Sequence, residues 1–217
     1  PNALTVRALN SKVDADFADD NKIVAKTIAN ANGFQTPVAE VDGKFYLTLA
    51  EAIAAAQAGD TVQILAGELA EGAIKLPATL NNVTIKGAAD HASILKDMTI
   101  MASDGNSYSY VGLTFDGITF DNSRLIFTGW RNGDEIIEDL TVTNCIVKNL
   151  DDTTNNAFLH INKDVIEPVK NFTFTNNVLD GLTGGSKSGI YTVNTGKVTI
   201  TGNTFNNIVF RPALVQI

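Results

Sequence analysis

Residues capable of chemistry are few in this sequence and stand apart from one another. The single cysteine, Cys145, excludes an internal disulfide and an all-cysteine metal site. It lies between Asn144 and Ile146 in a strand-like segment, which is typical of a small buried thiol and not of a nucleophile. Two adjacent carboxylates, Asp151 and Asp152, form an isolated pair that a solvated turn explains. No catalytic constellation is visible from these residues.

Two aromatic side chains offer more specific chemistry. His160 has the proton affinity of a general base, but a lone histidine more often serves as a hydrogen-bonded structural group, and we favour that interpretation. Trp130 is the only tryptophan, and an exposed loop aromatic can stack on the apolar face of a sugar; ordinary loop packing is the alternative. The sequence therefore favours a binding function over a catalytic one.

Composition limits the function classes. The chain has 217 residues, a net charge of −8 and an apolar content of 44%, as expected of one folded acidic domain, with or without a short appendage. Lysine and arginine are too few and too scattered to neutralise a phosphate backbone, which argues against nucleic acid. No apolar run approaches the roughly 18 residues of a membrane span. The 22 asparagines and 23 threonines favour many short strands joined by tight turns.

One helix is predicted, near the start of the patterned region. Residues 38–46 predict a hairpin, because Asp42-Gly43 supplies the positive φ angles of a two-residue turn. The capping box Thr48–Glu51 then begins a helix predicted over 48–58. A strand follows over 61–65, and no second convincing helix comes after it.

The remainder of the chain repeats. Five segments begin alike, with starts 30, 27, 32 and 26 residues apart. In each, positions one and three are apolar, position two is threonine, and position five is glycine or asparagine. The segments are Val83–Gly87, Leu113–Ser123, Leu140–Leu150, Phe172–Leu182 and Val198–Ile208.

The repeat has a direct physical interpretation. Alternation predicts a strand with one buried face, and glycine or asparagine at position five can adopt the left-handed conformation that bends the chain into a second strand. Residues 158–162 and 190–194 supply a third strand in two of the copies. Three short strands per period describe a coil whose turns stack in parallel. A leucine-rich repeat would need a helical return segment, and a β-sandwich would not repeat.

The stacking predicts which side chains are interior. Asn177 and Asn203 should form a ladder of amide hydrogen bonds at one bend. The predicted interior stacks comprise Leu113, Phe115, Leu140, Val142, Phe172, Phe174, Val198 and Ile200.

From Tyr46 onward, the chain resembles right-handed parallel β-helix proteins of the pectate-lyase-like superfamily. The resemblance is carried by Leu47–Val62, which looks like the helix that caps such coils, and by Ser188–Asn194 leading to Val198–Asn203. More narrowly, the chain is similar to uncharacterised β-helix modules of secreted or lipid-anchored surface proteins in polysaccharide-degrading bacteria. The predicted fold is therefore an all-β, right-handed parallel β-helix of about five to six coils with one N-terminal capping helix.

The resemblance also implies where a ligand would bind. Active grooves of this superfamily lie along the third strand, between flanking loops. The lyases need several carboxylates for calcium and a basic residue, and the hydrolases need three close aspartates and Gly-His-Gly; neither pattern is present. The resemblance places the following residues near a carbohydrate-binding groove, with His160 and Thr192 pointing outward from the strand: Trp130, Arg131, Asp151, Asp152, His160, Lys163, Lys187 and Thr192.

We accordingly expect an extracellular or cell-surface module that binds or presents polysaccharide and is non-catalytic. A lyase or hydrolase acting on acidic glycans and an adhesin with a protein partner are the alternatives. The negative charge disfavours a uronate ligand unless calcium bridges the two, and the dispersed carboxylates form no calcium cluster, so neither a metal nor another cofactor is predicted.

Both ends of the chain depart from the repeat. Residues 1–37 are expected to be a linker or appendage, either a helix over 14–31 or strands over 4–9 and 22–28. Residues 38–217 form the β-helix domain. Pro212–Ile217 resembles another third strand aligned with Gly189–Asn194, so we expect the domain to continue or a partner to cover Ile217.

Threonines raise one further alternative. Three pairs, at 141 and 143, 173 and 175, and 199 and 201, should form ranks on one sheet face, a pattern known from ice-binding solenoids. The simpler explanation is that threonine is a favoured outward residue in strands, and Lys86 and Asp116 interrupt one of the ranks.

Overall fold

A computed structural model describes residues 28–30, 33–103, 107–129, 135–150, 157–163, 169–181, 189–192, 195–208 and 215–216. In it the chain winds through three parallel sheets, contributing one short strand to each sheet in every turn. This is the parallel β-solenoid that the repeat predicts. We call the three strands of one turn a rung and number the rungs from one to six along the chain.

The first sheet contains the repeated strands that begin each segment. Its central strands pair in parallel, and the threonines at position two are in register from rung to rung. Two further strands extend this sheet: Thr79–Asn81 pairs with Ser109–Val111, which in turn pairs with residues 136–138 of the long fourth-rung strand. The central strands are Thr61–Ile64, Thr84–Lys86, Thr114–Asp116, Ile136–Thr143, Lys170–Thr175 and Val198–Thr201.

The other two sheets each have six parallel strands. The second sheet consists of Gly67–Leu69, Ser93–Lys96, Thr119–Asp121, Ile146–Lys148, Val178–Asp180 and Thr204–Asn206. The third sheet consists of Ala73–Lys75, Thr99–Met101, Arg124–Gly129, Leu159–Lys163, Ile190–Thr192 and Val215–Gln216. A short 3-10 turn, Ala89–His91, lies between the first and second sheets in rung two.

The amino end of the solenoid is capped as expected. The hairpin Ala39–Val41 and Lys44–Tyr46 adds antiparallel strands to the first sheet, and it turns at Asp42 (φ 47°) and Gly43 (φ 72°). The helix α1, Leu49–Ala55, packs on these strands and is shorter than predicted. The Thr48 hydroxyl accepts a hydrogen bond from the Glu51 N–H at 3.1 Å, so the predicted N-cap is confirmed.

The predicted left-handed bend is confirmed at position five of four segments but is wrong at Gly87, whose φ is not positive and where the close Gly117 carbonyl requires the glycine instead. Neighbouring rungs also bind each other across the bends. Asn144 (φ 53°) and Asn176 (φ 55°) hold position five of their segments. At five bends of the described chain, an asparagine amide donates to an aspartate carboxylate of the preceding rung at 2.7–2.9 Å. The pairs are Asn122–Asp97, Asn144–Asp116, Asn149–Asp121, Asn171–Asp139 and Asn207–Asp180.

The interior is a stack of apolar columns. The predicted interior residues of rungs three to five are fully buried, whereas Val198 and Ile200 of rung six are half-buried. Phenylalanine rings continue the packing between rungs, and the ring centroids of Phe120 and Phe158 are 5.0 Å apart in an edge-to-face contact. Cys145 is buried, and burial raises its pKa to about 12, as expected of a structural thiol.

The number of coils is slightly smaller than predicted. About four turns are enclosed by a hydrogen-bonded rung on both sides, and the first and sixth rungs are end turns.

In the amino-terminal region, Ile28–Asn30 is a strand paired with Gly33–Gln35, so the helix predicted over 14–31 is wrong at these residues. The segments 1–27 and 31–32, with the rest of both alternatives, lie outside the described residues.

The carboxyl end contains the predicted third strand. Val215–Gln216 pairs in parallel with Ile190 and Tyr191, with Val215 opposite Ile190. This register is two residues beyond the predicted alignment, and therefore keeps the same faces inward and outward. Ile217 lies outside the described residues, and the expectation that a partner or further chain covers it stays a prediction.

Candidate functional site

The third sheet contains the described members of the predicted site. Its inward column is apolar and nearly inaccessible, with Leu125 and Leu159 fully buried at successive rungs. Because side chains alternate along a strand, the residues that follow them point away from the core. We call these residues the outer row of the third sheet: Lys75, Met101, Ile126, His160 and Tyr191, in register from rung one to rung five.

His160 and Tyr191 form the aromatic part of this row. Their ring centroids are 4.9 Å apart and their planes make an angle of 68°, which is an edge-to-face contact. Tyr191 is half-buried, so part of this residue stays accessible, whereas His160 is only 5% exposed. The accessible aromatic surface in the row is therefore that of Tyr191, a residue that the sequence interpretation did not select.

The predicted orientation of Thr192 is wrong. Thr192 is in register with Ile161, which is itself opposite Phe127, and these three side chains form an inward column. Thr192 is completely buried, and its hydroxyl is hydrogen-bonded to that of Thr195. His160 does belong to the outward row as predicted, but it is covered, so an open groove is not formed by either side chain.

The remaining predicted residues fall at the edge of the described chain. Lys163 is the last residue of its third-sheet strand, opposite Gly129, and its side chain is outside the described part. Trp130, Arg131, Asp151, Asp152 and Lys187 also lie outside the described residues. Their convergence on the outer row stays a prediction.

A buried aromatic pair lies where the third sheet passes into the extended first sheet. Tyr108 stacks on Tyr110 with centroids 4.7 Å apart, and the Tyr110 hydroxyl accepts a hydrogen bond from the Ser103 N–H at 3.0 Å. Burial raises the pKa of Tyr110 to about 12. Burial also raises the pKa of Tyr108, and the charge of the buried Glu135 adds to that effect. The alternation Tyr108-Ser109-Tyr110 was the available sequence signal for an inward-facing pair.

Two charged residues of this part of the chain are also buried. Arg124 at the start of its third-sheet strand is 6% exposed, and Glu135 is 2% exposed.

Among the described residues, no three histidine, cysteine, aspartate or glutamate side chains lie close enough together to hold a metal ion. Within the same part of the chain, no helix has the length and apolar character needed to cross a membrane.

The outer face of the first sheet carries the predicted threonine ranks. The position-two row consists of threonine in all six rungs, from Thr61 to Thr199. In the neighbouring row, Thr143 and Thr175 are bonded through their hydroxyls at 3.1 Å, but Lys86 and Asp116 precede them in register. The charged interruption that the sequence predicts is thus present.

Comparison with known proteins gives no match to a family model, to a curated protein or to a solved structure. The solenoid fold is therefore established by the sheet register itself, and the resemblance to pectate-lyase-like proteins gains no support from these comparisons.

Proposed function

We propose that this chain is an extracellular, non-catalytic β-solenoid module of the pectate-lyase-like type that binds polysaccharide along the outer row of the third sheet. The observation that carries the proposal is the partly accessible side chain of Tyr191, which makes an edge-to-face contact with His160 (ring centroids 4.9 Å apart) in register with Ile126 and Met101. An aromatic ring beside an aliphatic strip matches the apolar C–H face of a sugar ring, and the phenol supplies a hydrogen-bonding group at one end.

The row is suited to a chain ligand. Successive rungs are about 4.8 Å apart, so the row presents one outward side chain per rung along the solenoid axis. A polysaccharide lying along that axis would contact Met101 and Ile126, pass over the covered His160 and contact Tyr191. Such a ligand needs no deep pocket, because binding energy accumulates over several shallow contacts.

Charge favours a neutral glycan. The chain has a net charge of −8, which repels an anionic uronate at long range. In the described part of the outer row, the formal cation is Lys75 at rung one, four rungs from Tyr191. A neutral hexose or pentose polymer avoids this unfavourable electrostatic term, whereas a uronate polymer would require bridging calcium.

The direct test is binding to a glycan array and to soluble polysaccharides by affinity electrophoresis, with and without calcium. Tyr191→Ala should weaken binding about three- to tenfold, since an aromatic contact contributes about 0.5–1.5 kcal/mol beyond area burial and 1.4 kcal/mol is tenfold. Tyr191→Phe keeps the ring and should bind nearly normally. Thr173→Ala, on the outer face of the first sheet, is the matched off-site control.

Each competing function predicts a different result. Unsaturated uronate released from pectin or alginate would show a lyase and overturn the non-catalytic proposal. Binding that is unaffected by Tyr191→Ala would move the glycan site away from the outer row. Absence of binding to every glycan would refute polysaccharide recognition and leave the adhesin alternative, with a protein ligand.

A further inference from the structure

We propose that the outer face of the second sheet is a homodimer interface on which a second copy of this chain docks with its solenoid axis antiparallel. This face is distinct from the proposed glycan site, and docking on it does not depend on glycan binding. The order of charges along the second sheet and the apolar row beside them support the docking of a second copy.

Charges alternate in one outward row of the second sheet. We call it the charge row, and it lies in register through four consecutive rungs. Lys148 bonds Asp121 at 3.3 Å within the chain, and both side chains remain partly accessible, at 38% and 20%. From rung two to rung five the charge row is Lys96, Asp121, Lys148 and Asp180.

This order is self-complementary only in one orientation. A two-fold axis parallel to the strands, passing between rungs three and four, places each row against itself with the rungs reversed. Lys96 then faces the partner's Asp180, and Asp121 faces the partner's Lys148. A two-fold axis along the solenoid keeps the rungs in the same order and opposes rungs of like charge. The charge row therefore favours antiparallel docking.

An apolar row lies beside the charge row on the same face. The same rotation opposes Ile94 to the partner's Val178, and it brings the partner's Ile146 to Thr119, which is itself only 5% exposed. Ile94, Ile146 and Val178 are half-buried in the isolated chain, so docking would remove their remaining apolar surface from water. Glu68 of rung one then faces the partner's Thr204 of rung six, and this contact introduces no repulsion between like charges.

The side of this face nearest the first sheet is defined by the turn Ala89–His91. The His91 carbonyl accepts a hydrogen bond from the Thr119 hydroxyl at 3.0 Å, which holds the turn against the apolar row. The turn thus forms one border of the docking face. The charge row forms the opposite border, where ion pairs between copies can fix the register while staying near solvent.

Sedimentation equilibrium at low ionic strength tests the association itself. We expect a reversible dimer whose fraction rises with protein concentration and falls with added salt, because the charges that fix the orientation are partly accessible to solvent and are therefore screened by salt. Lys148→Asp should weaken the dimer at least tenfold, because it places a new carboxylate opposite the partner's Asp121. A protein that stays monomeric at high concentration and low salt would overturn the proposal.

A charge swap tests the orientation. The double variant Asp121→Lys with Lys148→Asp keeps the ion pair within the chain and the antiparallel complementarity, so it should dimerise with itself. Mixed with the original chain it places like charges opposite each other at both positions. Energy transfer between labelled chains should therefore show two homodimers and a heterodimer fraction at least tenfold below the statistical value.

The matched control is the swap Lys86→Asp with Asp116→Lys on the first sheet. These residues are also adjacent in register, and Asp116, like Asp121, accepts an asparagine amide from the next rung at 2.8 Å. This control should mix freely with the original chain. Circular dichroism and thermal melting establish that each variant is folded. Free mixing of the second-sheet swap, or a folded swap that fails to dimerise, would refute the geometry.

Discussion

The amide of Asn177 is the most informative position for testing how the rungs hold together. Asn177 is 1% exposed, and its Oδ1 accepts a hydrogen bond from the Cys145 N–H at 2.8 Å. Its Nδ2 donates to the Val142 carbonyl at 3.0 Å and to Asn203 Oδ1 at 3.1 Å. Replacing Asn177 by alanine removes all three hydrogen bonds from a site between rungs.

The expected cost follows from this count. A buried N–H that loses its acceptor costs about 1–3 kcal/mol, and each of the two other bonds contributes about 0.5–1.5 kcal/mol. Asn177→Ala should therefore lower the free energy of unfolding by about 3–4 kcal/mol. Asn203 is half-buried in the last rung, so water can replace much of what Asn203→Ala removes, and we expect a loss of about 1 kcal/mol there.

Urea unfolding followed by far-ultraviolet circular dichroism measures both variants. Asn177→Asp adds a pH test, because the introduced carboxyl faces the acceptors Val142 C=O and Asn203 Oδ1, and burial among acceptors raises its folded-state pKa. A raised folded pKa gives stability that is present below the unfolded value of about 3.9 and is lost as pH rises. The deficit of this variant relative to the original chain should be smaller at pH 4 than at pH 7. A loss below about 1 kcal/mol for Asn177→Ala, or an Asn177→Asp deficit that shrinks toward pH 7, would refute the ladder as a source of stability.

Two further predictions concern close packing and the buried thiol. A Cβ on Gly87 would lie 2.2 Å from the Gly117 carbonyl oxygen, so Gly87→Ala should lower the free energy of unfolding by about 1–3 kcal/mol in the same urea assay. The control Gly196→Ala should change stability little, because a Cβ there would lie 3.5 Å from its nearest neighbouring atom. Similar losses for the two variants would contradict the close approach at Gly87. Burial raises the pKa of Cys145 to about 12, so native protein at pH 8 should react with a thiol reagent at least a hundredfold more slowly than urea-unfolded protein. For the same reason, the free energy of unfolding should fall as pH rises from about 9 toward 12. Rapid labelling of the native protein would show that the thiol is accessible.

Much of the fold could be predicted because its determinants are local. The left-handed bend at Asn144, the hairpin at Asp42-Gly43 and the N-cap at Thr48 each depend on a few consecutive residues. Alternation along each first strand likewise determines which side chains are interior, and Phe115 and Phe174 are buried as predicted. The Asn177–Asn203 ladder was predictable because the repeat places both amides at the same position of successive coils.

The candidate site was less predictable. Ile190-Tyr191-Thr192 has no clear apolar–polar alternation, so its sequence does not say which residue points inward. Register with the preceding rung decides it: Ile190 follows the buried column of Leu159, and Tyr191 is therefore outward. His160 is outward by the same rule, and its burial depends on what packs over the sheet, which no local pattern encodes.

The amino-acid sequence alone thus determined the period, the bends, the capping helix and the identity of most interior columns, because these depend on residues within one segment. Tertiary structure decided the orientation of Thr192, the cap that Glu71 provides to the Leu49 N–H at 2.6 Å, and the charge row of the second sheet. Each depends on contacts between residues about 20 to 30 positions apart. Their partners are fixed by how the rungs align, because stacking in register brings one residue of each turn beside its counterpart in the next.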